Sequence, residues 1–224
     1  MRKYYKYKLN INTINVVATI LFVLACIPVY KKIYDYSFSS IKVVGIILIT
    51  YLFWMVLHEI LHGVAHLLCG SKRSDLSFGA ALEKGVLFCL IRKEVSKKQI
   101  LISLIFPFFF IGIVTYIVGV IINSPLLIIL SIFNISGAAG DLLMFYHFIK
   151  LDKDITYIEP GDGTSFYLTT CNLKNKKMFG LDYVEEGEYK QDMFNQKTKT
   201  YDISKTSYIF FIICFILGLI CIFL

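Results

Sequence analysis

Four long apolar runs fix the solvent in which this chain folds. Residues 11–30, 41–69, 99–122 and 126–149 are dominated by aliphatic and aromatic side chains, and residues 207–224 form a fifth, shorter run. A helix of about 20 apolar residues crosses the ~30 Å hydrocarbon core of a bilayer. Every backbone N–H and C=O there must be satisfied within the protein, which favours helices. The pattern predicts an all-α polytopic membrane protein with about five transmembrane helices.

The net charge of +7 does not point to nucleic acid, because no basic stretch interleaves with aromatics in the manner of such surfaces. The basic residues flank the apolar runs instead. With the N-terminus inside, 20 of the 23 lysines and arginines fall in residues 1–10, 70–98 and 150–206; only Lys31, Lys32 and Lys42 fall outside. The positive-inside rule then makes the N-terminus and segment 151–206 cytoplasmic. The first run is too long for a signal peptide and no A-x-A site follows, so an uncleaved anchor is expected. The six cysteines form no C-x-x-C pair and read as buried thiols.

Two stretches break the helical pattern. In residues 74–95, Leu76, Phe78, Ala80 and Leu82 alternate with other residues, Glu83-Lys84-Gly85 offers a turn, and Val86 to Ile91 return. This predicts a small β-hairpin insertion. Its unpaired edge offers backbone pairing to an extended peptide; a plain surface connector fits the same pattern. In residues 151–206, runs 155–158 and 165–170 flank Pro160-Gly161-Asp162-Gly163, which predicts a hairpin in a small β-containing cytoplasmic segment. The organisation is thus a core of residues 1–150, a polar segment 151–206 and a C-terminal span 207–224. Pro107 is expected to kink its span. The small residues Ser136-Gly-Ala-Ala-Gly140 are expected to let helices approach closely.

The second run carries His58-Glu59-Ile-Leu-His62, in a chain with four histidines. Histidines four apart on a helix differ by about 40° around the axis and about 6 Å along it, so both reach one ion. Imidazole ligates zinc well, and an open zinc position acidifies bound water. Glu59, beside the first ligand, is placed to take that water's proton. His58 and His62 are therefore the candidate Zn2+ ligands and Glu59 the candidate catalytic base. Ionisable groups at membrane depth are costly and mark function.

A catalytic zinc usually has three protein ligands. His66 lies about 12 Å further along the helix than His58, too far to share the ion. His147 falls about 120° from Asp141 and is expected near the interface. Asp141 fits better. His58 sits about 26 Å along its span and Asp141 about 24 Å along its own, and both spans run in the same direction. A lone aspartate in an apolar span needs a partner. The alternative is a helix end from Gly140 with Asp141 solvated near the interface, in which case Glu159 or Asp162 is the next candidate ligand. Asn134, on nearly the same face as Asp141, is a candidate to bind substrate backbone or to pack helices.

This combination, the His58–His62 motif in one membrane helix and Asp141 in a later one, resembles the site-2-protease group of intramembrane metalloproteases. It is more closely similar to the small bacterial membrane proteins grouped as zincin peptidases, first catalogued as a domain of unknown function. The resemblance covers roughly residues 41–166. It implies zinc held by His58, His62 and Asp141, Glu59 as base, a membrane-protein or peptide substrate, and a place in the bacterial cell membrane. The Asn-Pro-Asp-Gly-type ligand motif of site-2 proteases is absent; Gly140-Asp141-Leu142 stands in its place.

The expected function is a zinc-dependent, membrane-embedded endopeptidase. A non-hydrolytic metal-binding scaffold or maturation factor is the first alternative. A small proton or metal transporter is the second, and the apolar outer halves of the spans count against it. On the charge distribution, a reporter fused after Thr206 should behave as cytoplasmic and one fused after Leu224 as external. An external reporter at Thr206 would overturn the orientation.

Overall fold

The computed structural model describes residues 2–34, 41–81, 86–159 and 165–190. The chain opens with strand β1 (Lys3–Leu9) and passes into helix α1 (Ile11–Cys26), a 3₁₀ turn at Ile27–Val29 and α2 (Tyr30–Tyr34). The long α3 (Ile41–Leu68) leads to β2 (Leu76–Ala81), β3 (Val86–Ile91) and β4 (Val95–Ser96). Then follow α4 (Lys97–Pro107), a π-helical segment Phe108–Val114, α5 (Thr115–Ile121), α6 (Pro125–Gly137) and α7 (Ala139–Ile149). Strands β5 (Thr156–Ile158), β6 (Ser165–Thr170) and β7 (Leu181–Glu188) complete the described part.

Among the described residues, three helical stretches are long and apolar enough to cross a membrane: Ile11–Ile33, Val43–Leu68 and Lys97–Ile121. The pair α6 and α7, bent by 49°, makes a fourth if it counts as one broken span. That is the build of a membrane protein. The run 207–224 lies outside the described residues, as do the two hairpin turns at 82–85 and 160–164.

The β content corrects the all-α expectation. Five antiparallel strands form one sheet in the order β4-β5-β6-β1-β7, and β2–β3 form the separate hairpin. Strands β1 and β7 were not anticipated. The lysines of β1 read as charges flanking a span, yet they alternate with tyrosines at the period of a strand. Tyr5 and Tyr7 turn inward, at 3% and 0% exposure, while Lys6 lies over the Tyr167 ring. Tyr7 stacks on Phe166 with centroids 5.7 Å apart, and Phe148 of α7 meets Phe166 edge-on at 5.5 Å. The sheet therefore packs its inner face on the ends of α4 and α7, with Ile100, Leu104 and Met144 in the same core.

The helix starts are written locally. Asn10 ends β1 and caps α1, its Oδ1 accepting from the Thr13 N–H at 3.0 Å. Ser96 and Gln99 form a reciprocal capping box on α4, and Gln99 Nε2 donates to the Cys69 carbonyl at 2.9 Å, tying α4 to the end of α3. Gly63 provides the notch in which the hairpin sits: a Cβ there would lie 2.8 Å from Phe78 Cζ.

One polar cluster stitches the sheet. Glu94 pairs with Arg2 at 2.6 Å and accepts from Thr169 at 3.0 Å, Tyr189 at 2.9 Å and Thr156. Burial alone would raise its carboxyl; the hydrogen bonds and the Arg2 charge outweigh it and hold Glu94 below the ordinary glutamate range. A depressed native pKa means that the unfolded state binds more protons. The stabilisation is complete above the unfolded value of about 4.3 and is lost as pH falls through the native value. Glu94→Gln should flatten this acid-side loss and cost about 1–3 kcal/mol near neutrality. Chemical denaturation of the detergent-solubilised protein, followed by tyrosine fluorescence across pH 3–7, measures both.

Candidate metal centre

The site begins with a proline. Pro107 has no N–H to offer the carbonyl of Ser103, four residues earlier in the same helix. That freed carbonyl accepts from His62 Nδ1 at 2.9 Å. Pro107 ends α4 and the chain continues as the π-helical segment. Its own carbonyl takes the Asn134 side-chain amide at 3.3 Å, and Asn134 Oδ1 holds His58 Nδ1 at 2.8 Å. A carbonyl oxygen only accepts, so both imidazoles carry their proton on Nδ1 and present the Nε2 lone pair inward.

The two Nε2 atoms lie 3.1 Å apart. Asp141 Oδ2 lies 3.1 Å from that of His58 and 3.5 Å from that of His62. Ligands about 2.0–2.1 Å from a zinc ion sit about 3.3–3.4 Å apart at the corners of a tetrahedron. The triangle has the size of one tetrahedral face. Three acceptors so close, with no hydrogen between neutral imidazoles and a carboxylate, repel one another unless a cation lies among them. The donor set fits a divalent ion such as zinc.

Asp141 reaches this point because the fourth span is broken. Helix α6 ends at Gly137, and α7 starts afresh at Ala139 with Asp141 in its first turn. An acidic residue is favourable at a helix N-terminus. The helix end considered at Gly140 falls at Gly137 instead, and Asp141, in the first turn of the next helix, faces the histidines. The small residues act differently from expectation. Ala138 and Ala139 are fully buried, but Gly137 and Gly140 line the cavity and have little packed against them.

Glu59 groups with His58 and His62, their donor atoms lying within 4.8 Å of one another. The backbone N–H of Cys89 on β3 faces its carboxylate. The next outward N–H of that edge, Ile91, donates to Glu159 Oε2 at 2.8 Å, and Glu159 Oε1 accepts from the Tyr157 hydroxyl at 2.6 Å. The hairpin edge facing the site is thus not unpaired, as the sequence suggested: two carboxylates occupy it. Burial outweighs these hydrogen bonds and pushes the Glu159 carboxyl up to about 7. A cavity of about 240 Å³ joins Glu59, the triangle, β3 and Glu159.

The remaining candidates fall elsewhere. His66 is buried, at 2% exposure, and lines the cavity without joining the triangle. His147 sits near the end of α7, bonded to the Phe179 carbonyl at 2.8 Å. Of the two readings of Asn134, substrate binding or helix packing, the structure shows bonds between helices: its amide joins His58 and the Pro107 carbonyl, and it is not among the residues lining the cavity. Asp162 lies outside the described residues. Ser103 and Pro107 were not read as parts of a metal centre; a proline four residues after a small polar residue was the available signal. Glu159, the reserve ligand candidate, lines the cavity and bonds to Ile91 and Tyr157.

A family described as "Putative zincin peptidase" matches residues 51–156, a stretch that holds His58, Glu59, His62 and Asp141 and stops short of Glu159. The match points to a metallopeptidase with zinc as its cofactor. The chain is also 31% identical over 110 residues to an "Uncharacterized 24.7 kDa protein in gap 5'region" of Pyrococcus woesei. That alignment covers 48% of this chain, which spans about half the length of the relative. No solved structure matches.

Asp141→Ala should abolish tight zinc binding, and Asn134→Ala should weaken it about 10–100-fold by freeing the His58 ring. His147→Ala should leave it unchanged. Competition with a chromophoric chelator on the purified variants ranks them, and full affinity in Asp141→Ala would remove that ligand.

Proposed function

We propose that this chain is a zinc-dependent, membrane-embedded endopeptidase that hydrolyses a peptide bond of a membrane or membrane-proximal protein. The observation that carries the reading is the triangle of His58, His62 and Asp141 acceptors with a further carboxylate, Glu59, held beside it. A zinc ion bound by those three residues supplies Lewis acidity, which acidifies a water and polarises the substrate carbonyl. Glu59 takes the proton from the attacking water as its oxygen bonds to the acyl carbon. The protonated Glu59 then gives that proton to the amide nitrogen, the C–N bond breaks, and the carboxylic acid so formed passes the water's second proton to the amine, so that a carboxylate and an ammonium leave. The Cys89 N–H faces the Glu59 carboxylate in both transfers. A scaffold that only stored metal would have no use for a carboxylate anchored outside the ligand triangle.

A helical substrate hides its carbonyls in its own hydrogen bonds, so the segment must be extended before attack. The cavity supports this reading, because β3 runs along it and offers a strand edge. The cavity is lined by spans and by sheet together, which suits a bond near the membrane surface. The orientation we favour has the sheet in the cytoplasm. Strand β1 pairs with β6 and β7, so residues 3–9 and 165–188 share one side, and the basic residues concentrate on that side.

Glu59→Gln should lower peptide hydrolysis by about 10²–10⁴-fold while keeping the zinc content of the wild type. Normal turnover in this variant would remove the mechanism. Comparing membrane proteomes with and without the substitution should reveal the substrate as an accumulated, uncleaved protein.

A further inference from the structure

The free edge of β3 imitates a paired strand. In the antiparallel β2–β3 pair, Cys89 stands opposite Phe78 and Ile91 opposite Leu76. The N–H groups of Cys89 and Ile91 point away from β2. They are two residues apart on one edge, where a neighbouring strand would present the carbonyls of alternate residues. Glu59 and Glu159 carboxylates occupy those two places. An extended peptide laid along β3 leaves Glu59 where catalysis needs it and takes the Ile91 N–H from Glu159.

The displaced carboxylate then needs a donor. Tyr157 supplies one, and no lysine or arginine pairs with Glu159 among the described residues. The two basic residues that follow β3 are committed elsewhere: Lys93 pairs with Asp75 at 2.9 Å, and Arg92 donates to Ser77 at 2.8 Å. A carboxylate left short of partners in a partly enclosed cavity is expensive. A substrate that brings its own cation removes that cost; one that brings an aliphatic side chain does not.

Resting on the peptidase reading above, we propose that Glu159 is the specificity-determining residue of this site: it occupies the Ile91 N–H in the resting protein and, once displaced, selects extended peptides carrying a lysine or arginine beside the bond to be cut. Glu159 follows β5 and lies beyond the stretch matched by the zincin family.

The test measures binding in the zinc-loaded, full-length Glu59→Gln protein in detergent, which holds peptide without cutting it. Blocked decapeptides of one host sequence carry a single lysine or leucine, walked along the chain. At one position the lysine peptide should bind about tenfold tighter than the leucine peptide, as expected for a hydrogen-bonded charge. Adding Glu159→Ala should bring that ratio close to one and tighten the leucine peptide, because the Ile91 N–H is then free. Adding Glu159→Gln should also abolish the lysine preference but leave the leucine affinity unchanged, because glutamine keeps an acceptor for Ile91. Zinc content equal to the parent certifies that each variant is folded. Zinc-dependent peptide binding with a lysine-to-leucine ratio indifferent to both Glu159 substitutions overturns the proposal and leaves the peptidase reading standing. Absence of zinc-dependent binding for every peptide overturns the peptidase reading, and the proposal with it.

Discussion

Three electron pairs aimed at one point govern this molecule. His58, His62 and Asp141 bring their acceptor atoms within 3.1–3.5 Å of one another, an arrangement that a metal cation makes favourable. Much of the surrounding structure serves to keep those lone pairs aimed. The Ser103 carbonyl and the Asn134 amide fix the two imidazoles, and the break between α6 and α7 delivers the aspartate at a helix start. The Pro107 backbone touches both histidine supports: it releases the Ser103 carbonyl and anchors the Asn134 amide. A residue expected to kink a helix therefore organises a metal centre.

The helices and the ligand motif were legible because each rests on a short-range rule. An apolar run must be helical in a bilayer, and histidines at i and i+4 share a helix face. Depth along the two spans put Asp141 forward as a candidate, and its carboxylate lies beside both histidines. What stayed hidden depends on contacts distant in sequence. β1 reads as a basic tail until residues 165–188 are there to pair with it. Asn134 reads as an available amide until His58 and Pro107 claim its two ends. The edge of β3 reads as open until Glu59 and Glu159 are seen on it.

The geometry also separates the two halves of the proposed chemistry. The helices provide the ion and the base, and those residues fall within the stretch shared with the zincin family. The sheet provides Tyr157, Glu159 and Phe166 on the far wall of the same cavity. On the proposed reading, metal affinity and peptide preference would be carried by different layers.

The pairing of β1 with β6 and β7 has a consequence for the birth of the protein. Lys3 sits opposite Thr170 and Lys8 opposite Asp182, so the first strand to leave the ribosome finds its partners only after the intervening spans have been made. Until then its alternating lysines and tyrosines remain an unmatched edge beside the membrane. The lysines suit that wait, because charged side chains discourage premature edge-to-edge association. Contacts of such sequence separation close slowly, and the wall bearing Glu159 cannot be set against the metal ligands before the sheet closes. The sheet cannot close before the helices carrying His58, His62 and Asp141 have been synthesised, because β6 and β7 follow them in the chain.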